Sequence, residues 1–347
     1  MASGSGTVAS SDINYSGSSV ALNSTGNLAL GNGSNGGLAQ NYTFSGGSHN
    51  LTISQRPLDI SGTKVYDGNT VGEVAELSLT NSSGGSTGLV DGDSDGNFET
   101  LTLGGSSVTI GNKDVANSPT TITNAASRLT KSNGSNGGLA NNYTFSGGTH
   151  AFTVTTKQVN FSRVYNDLTT VVGSNLNSTL TTSDTIGSET LTMTGSGSVA
   201  SQNFSGSAQS ITLGTLSLGN GTNGGLASNY TLSGSSLTIN KRPLDIDGSK
   251  IYDGNTNAAD SILTASNFAT DSTTGNTETL GLSGTATISS KDAGSRTITN
   301  ATSALTLSNG SNGGLANNYT FTGGTHNFTV NTPVSYTHLR AHETNSN

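Results

Sequence analysis

Apolar and polar residues alternate along this chain in short bursts with a period of two, and no stretch shows the 3.6-residue period of a helix. Tyr143 and Phe145 alternate with polar neighbours, residues 146–149 (Ser-Gly-Gly-Thr) supply a turn, and Phe152 and Val154 resume the alternation, which predicts a hairpin. Leu58 and Ile60, Val108 and Ile110, and Leu305 and Leu307 repeat the pattern, as does the run around Ile288. Thr, Val, Ile and Tyr fill the runs, and Gly, Asn and Ser separate them, so the elements expected are antiparallel strands joined by turns. The fold class expected is all-β, built of small antiparallel units of β-sandwich or β-grasp-like type, between which the pattern does not choose.

The bursts themselves recur. Asn-Asn-Tyr-Thr-Phe-Ser-Gly-Gly-Thr-His at residues 141–150 returns almost unchanged at 317–326, with looser copies around Tyr42 and Tyr230. A period of roughly 90 to 100 residues means copies of one small domain, because solenoid coils repeat at 20 to 50. A second motif, Arg-Pro-Leu-Asp-Ile at 56–60 followed by Lys-Val-Tyr-Asp-Gly-Asn-Thr at 64–70, returns at 242–256 and in altered form at 157–169. The Tyr-Asp-Gly motif is taken to open a module and Asn-Tyr-Thr-Phe to close it. The modules expected are therefore 55–155, 156–240 and 241–332, with 1–54 as the second half of a truncated one. Only a few residues separate one module from the next, and Pro57 and Pro243 stiffen two equivalent joints, so a semi-rigid rod is expected.

Both ends depart from the repeats. Residues 4–10 match 195–201 in the middle of a later module and Met1 aligns beside Met193, as if an internal methionine codon had been read as a start. Residues 1–54 are expected to be poorly ordered without their complement. Residues 333–347 match nothing in the repeats and resemble the translated read-through of a sequencing adapter, so the helix-like spacing of His338, His342 and Glu343 is set aside as non-native.

Composition narrows the function classes. Forty-eight glycines, 10% charged and 30% hydrophobic residues describe small cores held by strands and turns, each marginal alone. There is no cysteine, hence no disulfide staple. A net charge of −8 argues against a nucleic-acid partner. No signal peptide or run of about 20 apolar residues is visible, so no membrane span is expected.

Few residues invite chemistry. In Tyr66-Asp67-Gly68 and Tyr252-Asp253-Gly254 the tyrosine supplies apolar area with a hydroxyl at the rim, the aspartate accepts a turn hydrogen bond and the glycine allows positive φ; ligand contact is the alternative. Tyr143 and Tyr319 anchor the closing motif. Asp91, Asp93 and Asp95, followed by Gly96, resemble the first half of an EF-hand loop, where hard oxygen ligands converge on calcium. The twelfth position is Thr102, Glu99 stands at the ninth, and the other modules lack the ladder, so either a weak calcium site confined to one module or an acidic solvated loop is expected. Glu-Thr-Leu itself recurs at 189–191 and 278–280. The glycine patterns at 31–36 and 219–224 fit GxGxxG only literally, since a strand is expected after each. His49, His150 and His326 read as exposed hairpin histidines, and the sequons at Asn142, Asn229 and Asn318 as surface turns. No catalytic set is visible, and no enzyme activity is expected.

The ordered motifs at 64–70, 112–116 and 139–145, and the run into Arg242-Pro-Leu, resemble the YDG-domain family and its glycine-rich MBG relatives. The resemblance spans nearly all of 1–332, with 165–167 (Tyr-Asn-Asp) and Gln202-Asn203 departing from the pattern in the middle module. It implies large bacterial surface proteins of the filamentous-haemagglutinin type, exported by two-partner secretion with an outer-membrane partner. The functions it implies are attachment to host-cell glycans or proteins, abiotic surfaces or like molecules, or alternatively a passive stalk presenting a distal domain. The location it implies is extracellular or on the outer surface.

Overall fold

The structure is a computed structural model that describes residues 2–8, 19–24, 26–82, 85–91 and 96–333. Asp93, Asp95 and residues 334–347 lie outside the described residues. The chain divides into two compact units, Met1–Lys157 and Gln158–Asn347. Both are almost wholly β, as the period-two pattern demands.

In the first unit a four-stranded sheet runs in the order Leu77–Leu79, Ile60–Val65, His150–Thr155, Thr120–Thr121. Its two central strands are parallel, with Ile60 opposite His150 and Val65 opposite Thr155. Antiparallel pairing was expected throughout, and the flanking pairs obey it. The central pair does not: it is parallel, and the whole stretch between residues 65 and 150 serves as the long crossover that parallel pairing needs. Period-two alternation carries no information on strand direction. The mixed order, with first and last strands side by side, matches the β-grasp-like alternative, and the covering layer is built of short antiparallel ribbons in place of a helix. These ribbons are Val71–Gly72 with Val108–Thr109 and Leu101–Gly105 with Leu129–Asn133.

The second unit holds the arrangement twice. Phe161–Val164 pairs in parallel with Ser236–Asn240, and Asp245–Ile251 with His326–Asn331, each pair at the centre of a four-stranded sheet. One face of each strand is buried, as in Ile60–Val65, where Ile60, Gly62 and Lys64 point inward. Cores are small. In the last repeat Ile246, Ala258, Ala286, Ile288, Ile298, Leu305, Phe321, Phe328 and Val330 pack together. Two four-residue helices, Ala125–Arg128 and Ala301–Ala304, and several single 3-10 turns are too short to imprint a helical period. One such turn, Ala227–Asn229, follows the glycine-rich loop where a strand was expected.

Before Gln55 no described residue is buried: Tyr42 is 69% exposed, whereas Tyr143 and Tyr319 are 1% and 2% exposed. The same motif thus lacks the core that buries it elsewhere.

A first and last strand that run parallel at the sheet centre send the chain in at one pole and out at the other. The Tyr-Asp-Gly motif follows the first strand and so lies at the exit pole; Asn-Tyr-Thr precedes the last strand and lies at the entry pole.

Two glycines of the last repeat separate conformation from space. Gly254 has φ +81° and open space where a Cβ would be, whereas a Cβ on Gly248 would stand 2.7 Å from Leu263 and Phe328. Gly254→Val is expected to cost about 2 kcal/mol through the left-handed backbone alone, and Gly248→Ala about 3 kcal/mol through overpacking. Thermal unfolding followed by circular dichroism checks both; unchanged melting of Gly254→Val would remove the turn argument.

Candidate functional site at the repeat joint

The Tyr-Asp-Gly turn is built the same way in the first and last repeats. Asp67 Oδ1 accepts the Asn69 backbone N–H at 3.1 Å, and Asp253 Oδ1 accepts that of Asn255 at 3.1 Å. Gly68 and Gly254 take φ of 79° and 81°. A lysine two residues before each tyrosine locks the turn. Lys64 Nζ pairs with Asp67 at 2.8 Å and donates to the carbonyls of Asn69 and Val71; Lys250 pairs with Asp253 at 3.0 Å and donates to Asn255 and Asn257. Lys250 holds the Asp253 carboxyl below its usual range, with the Asn255 N–H adding to the effect.

The middle repeat exchanges these partners. Arg163 stands at the lysine position and Asn166 at the aspartate position, so the ion pair is gone. Arg163 is buried and donates to the Thr170 carbonyl at 2.5 Å and to that of Leu168, while its Nε has no partner. Burial without a counter-ion lowers its pKa. Asp167 occupies the glycine position with φ 58°. Its carboxylate justifies the unfavourable backbone: Oδ1 accepts from Gln202 at 2.8 Å, and Oδ2 accepts the Ser272 N–H of the following repeat at 2.7 Å.

A second constellation recurs at the entry pole. The closing-motif tyrosine donates to the glutamate of Glu-Thr-Leu in every full repeat: Tyr143 to Glu99 at 2.7 Å, Tyr230 to Glu189 at 2.5 Å and Tyr319 to Glu278 at 2.6 Å. Each phenol oxygen also accepts a backbone N–H, that of Val90, Ile186 or Ala269.

Within the second unit these two poles meet. Tyr165 is fully buried, and its hydroxyl donates to Glu278 Oε1 at 2.7 Å, while Tyr319 holds Oε2 of the same carboxylate. The two phenol rings pack edge to face with centroids 5.5 Å apart. Around them Asn318 accepts the Phe204 N–H and donates to Asn203, both at 2.9 Å, and Lys241 Nζ lies 5.0 Å from the Phe204 ring centroid. Glu278 is 0% exposed and is satisfied by phenols in place of a cation. Burial, then the Glu278 carboxylate, raises the pKa of both Tyr165 and Tyr319; Tyr143 is raised by burial and by Glu99.

Other expected sites fare differently. Asp91 is half-buried, with Oδ2 accepting the Gly96 N–H at 2.9 Å and Oδ1 buried without a partner. Glu99, from the same acidic stretch, is committed to Tyr143, and no cluster of three metal-ligating side chains is found among the described residues. The sequon asparagines are not surface turns: Asn229 and Asn318 are 0% and 1% exposed, Asn318 being held across the joint by the Phe204 N–H and Asn203, and Asn142 is half-buried. The hairpin histidines are half-buried, and His49 and His150 bond backbone carbonyls of Phe44 and Leu58. Sequence reasoning undervalued the glutamates and lysines, whose signal was a charge at a fixed repeat position in a chain with few charges.

Tyr165→Phe leaves Glu278 with one phenol and is expected to destabilise the second unit by about 1–3 kcal/mol, read by calorimetry. Raised phenol pKa values keep stability intact below the unfolded tyrosine value of about 10 and remove it as pH rises above that. Melting temperature should therefore be flat to about pH 10 and then fall, and in a phenolate absorbance titration followed by single Tyr→Phe variants Tyr143, Tyr165 and Tyr319 should ionise above the ordinary tyrosine range. Asn166→Asp, which restores the counter-ion of Arg163, is expected to raise the melting temperature by a few degrees, on the scale of about 1 kcal/mol.

No curated protein and no solved structure matches the chain. One family model, described as the YDG domain, matches residues 240–326, and the last repeat is therefore a YDG domain.

Proposed function

We propose that this chain is the repeat region of a secreted bacterial surface adhesin, in which jointed β units carry attachment surfaces away from the cell. The observation that carries this reading is the joint of the second unit. A fully buried Tyr165–Glu278–Tyr319 network fixes one repeat on the next, as an extended attachment array needs. Such a joint serves no reaction: its carboxylate is saturated by phenols and closed to solvent.

Beside that joint lies a groove of about 340 Å³ lined by Ser162, Asn166, Ser178, Thr179, Thr181 and Arg242. Its hydroxyls, amides and guanidinium suit the polyhydroxyl edge of a saccharide and Val164 adds an apolar patch for a sugar face, which supports cell-surface glycans as the ligands proposed. Export by a two-partner route and an extracellular location belong to the same proposal.

The test is retention. The full chain is displayed on a non-adherent bacterium, and cells are counted on epithelial monolayers, glycan arrays and plastic against an unrelated β protein of similar length. Retention several-fold above the control, lost in Thr179→Trp, supports attachment through the groove. Retention equal to the control, with folding confirmed by circular dichroism, leaves the repeats as a passive stalk.

A further inference from the structure

The sheet of the middle repeat departs from its siblings along one edge, and the departure opens a second groove. In the first and last repeats the outer strand pairs with the early part of the first strand, where Gly62 lies opposite Leu77 and Gly248 opposite Leu263. Counted back from the lysine position that Arg163 takes, the equivalent residue is Phe161. The outer strand of the middle repeat, Leu180–Thr181, pairs further along, with Ser162 and Arg163. Among the described residues no strand therefore covers Asn160 and Phe161 on that side. Asp184 stands there in place of a strand, its Oδ2 accepting the Asn160 N–H at 2.6 Å. The space left is a groove of about 190 Å³, lined by Asn160, Thr182, Ser183, Asp184 and Thr238.

This groove continues the one of about 340 Å³ beside the joint. Ser162 and Thr181 line both, and their hydroxyls bond each other at 2.9 Å. The two form one cleft, with Asp184 at one end and Arg242 at the other. Along the central strand, Asn160 to Val164 alone covers about 13 Å at the rise of an extended chain, more than one sugar ring spans.

The ends of the cleft carry opposite charge. Arg242 is held in place by Asn267, whose carbonyl accepts from Nε at 2.6 Å and whose Oδ1 accepts from Nη2 at 2.9 Å, and by the Tyr165 carbonyl, which accepts from Nη1 at 3.3 Å. Three of its five N–H donors are used in this way and two remain. No carboxylate is among the described residues that line the larger groove, so an anion there meets a fixed cation without repulsion. At the far end Asp184 keeps Oδ1 as an acceptor for hydroxyls and repels an anion.

We propose that this cleft binds an acidic oligosaccharide, with the carboxylate of a uronic acid on Arg242 and the hydroxyls of a sugar further along the chain on Asp184. Charge-assisted bonding to a guanidinium already fixed by Asn267 selects the carboxylated sugar, and the opposite charge at the far end sets the direction of the chain. This inference rests on the glycan reading of the larger groove and narrows it to one class of chain.

The experiment is isothermal titration of the full chain with tetrasaccharides taken to millimolar concentration. The acidic probes are hyaluronan tetrasaccharide and tetragalacturonate; the neutral ones are their methyl esters and chitotetraose. An acidic probe should bind at least tenfold more tightly than its own ester and than chitotetraose. Preference for hyaluronan tetrasaccharide assigns the chain to an animal surface and preference for tetragalacturonate to a plant one, and either supports carboxylate recognition. Ser183→Trp, which fills the smaller groove from its exposed rim, should weaken the preferred tetrasaccharide at least tenfold and leave the matching disaccharide unchanged, whereas Thr179→Trp should weaken both. Circular dichroism checks the fold of each variant. Equal binding of an acidic probe and its ester, or a tetrasaccharide indifferent to Ser183→Trp, would overturn this inference and leave the glycan groove standing. Binding by none of the probes, neutral ones included, would overturn the glycan reading as well.

Discussion

Parallel pairing of each repeat's first strand with its last is the constraint on which the rest depends. Hydrogen bonding between Ile60–Val65 and His150–Thr155, or between Asp245–Ile251 and His326–Asn331, requires the intervening residues to act as one long crossover. That crossover becomes the layer of short ribbons and 3-10 turns that covers the sheet, and the core is the thin seam between them. The same pairing puts the two recurring motifs at opposite poles. A turn stiffened by a lysine–aspartate pair marks the exit, and a tyrosine held by a glutamate marks the entry.

Where the poles meet, the energetics rest on an unusual choice. A fully buried carboxylate is costly unless its lone pairs are satisfied, and Glu278 meets this with two phenols, one from each side of the joint. Neither repeat alone can complete the set. The joint is therefore specific without being strongly apolar, which suits a chain of which only 30% is hydrophobic. Asp167 shows the same logic at the backbone level: a residue that disfavours positive φ is kept there because its carboxylate reaches Ser272 across the joint.

Much of this was legible from the chain, and the gaps have physical causes. Alternation around Leu58 and Ile60 located strands, and the glycine after Tyr-Asp located a turn, because both are local effects of side-chain direction and φ. Strand direction was not legible, since Ile60–Val65 reads the same whether its neighbour is parallel or antiparallel. The altered middle motif, Tyr165-Asn166-Asp167, looked degraded because comparison with its siblings rewards likeness; in space its differences are the joint. Asn229 and Asn318 looked exposed as polar residues beside a turn, yet both are buried, and the contacts that hold Asn318 come from Asn203 and Phe204, more than a hundred residues away in sequence. Asp91 is placed at the edge of its loop, while Asp93 and Asp95 fall outside the described residues.

Opposite-pole entry and exit also decide how a repeat carries mechanical load. Tension applied to the chain on either side of a repeat acts along its two central strands in shear, so every hydrogen bond between them is strained at once and none can be unzipped singly. Asp245–Ile251 and His326–Asn331 share six paired positions from Ile246↔His326 to Ile251↔Asn331, whereas Phe161–Val164 and Ser236–Asn240 share four. Under a common pull the middle repeat would yield first, lengthening the chain while its neighbour in the unit stays folded.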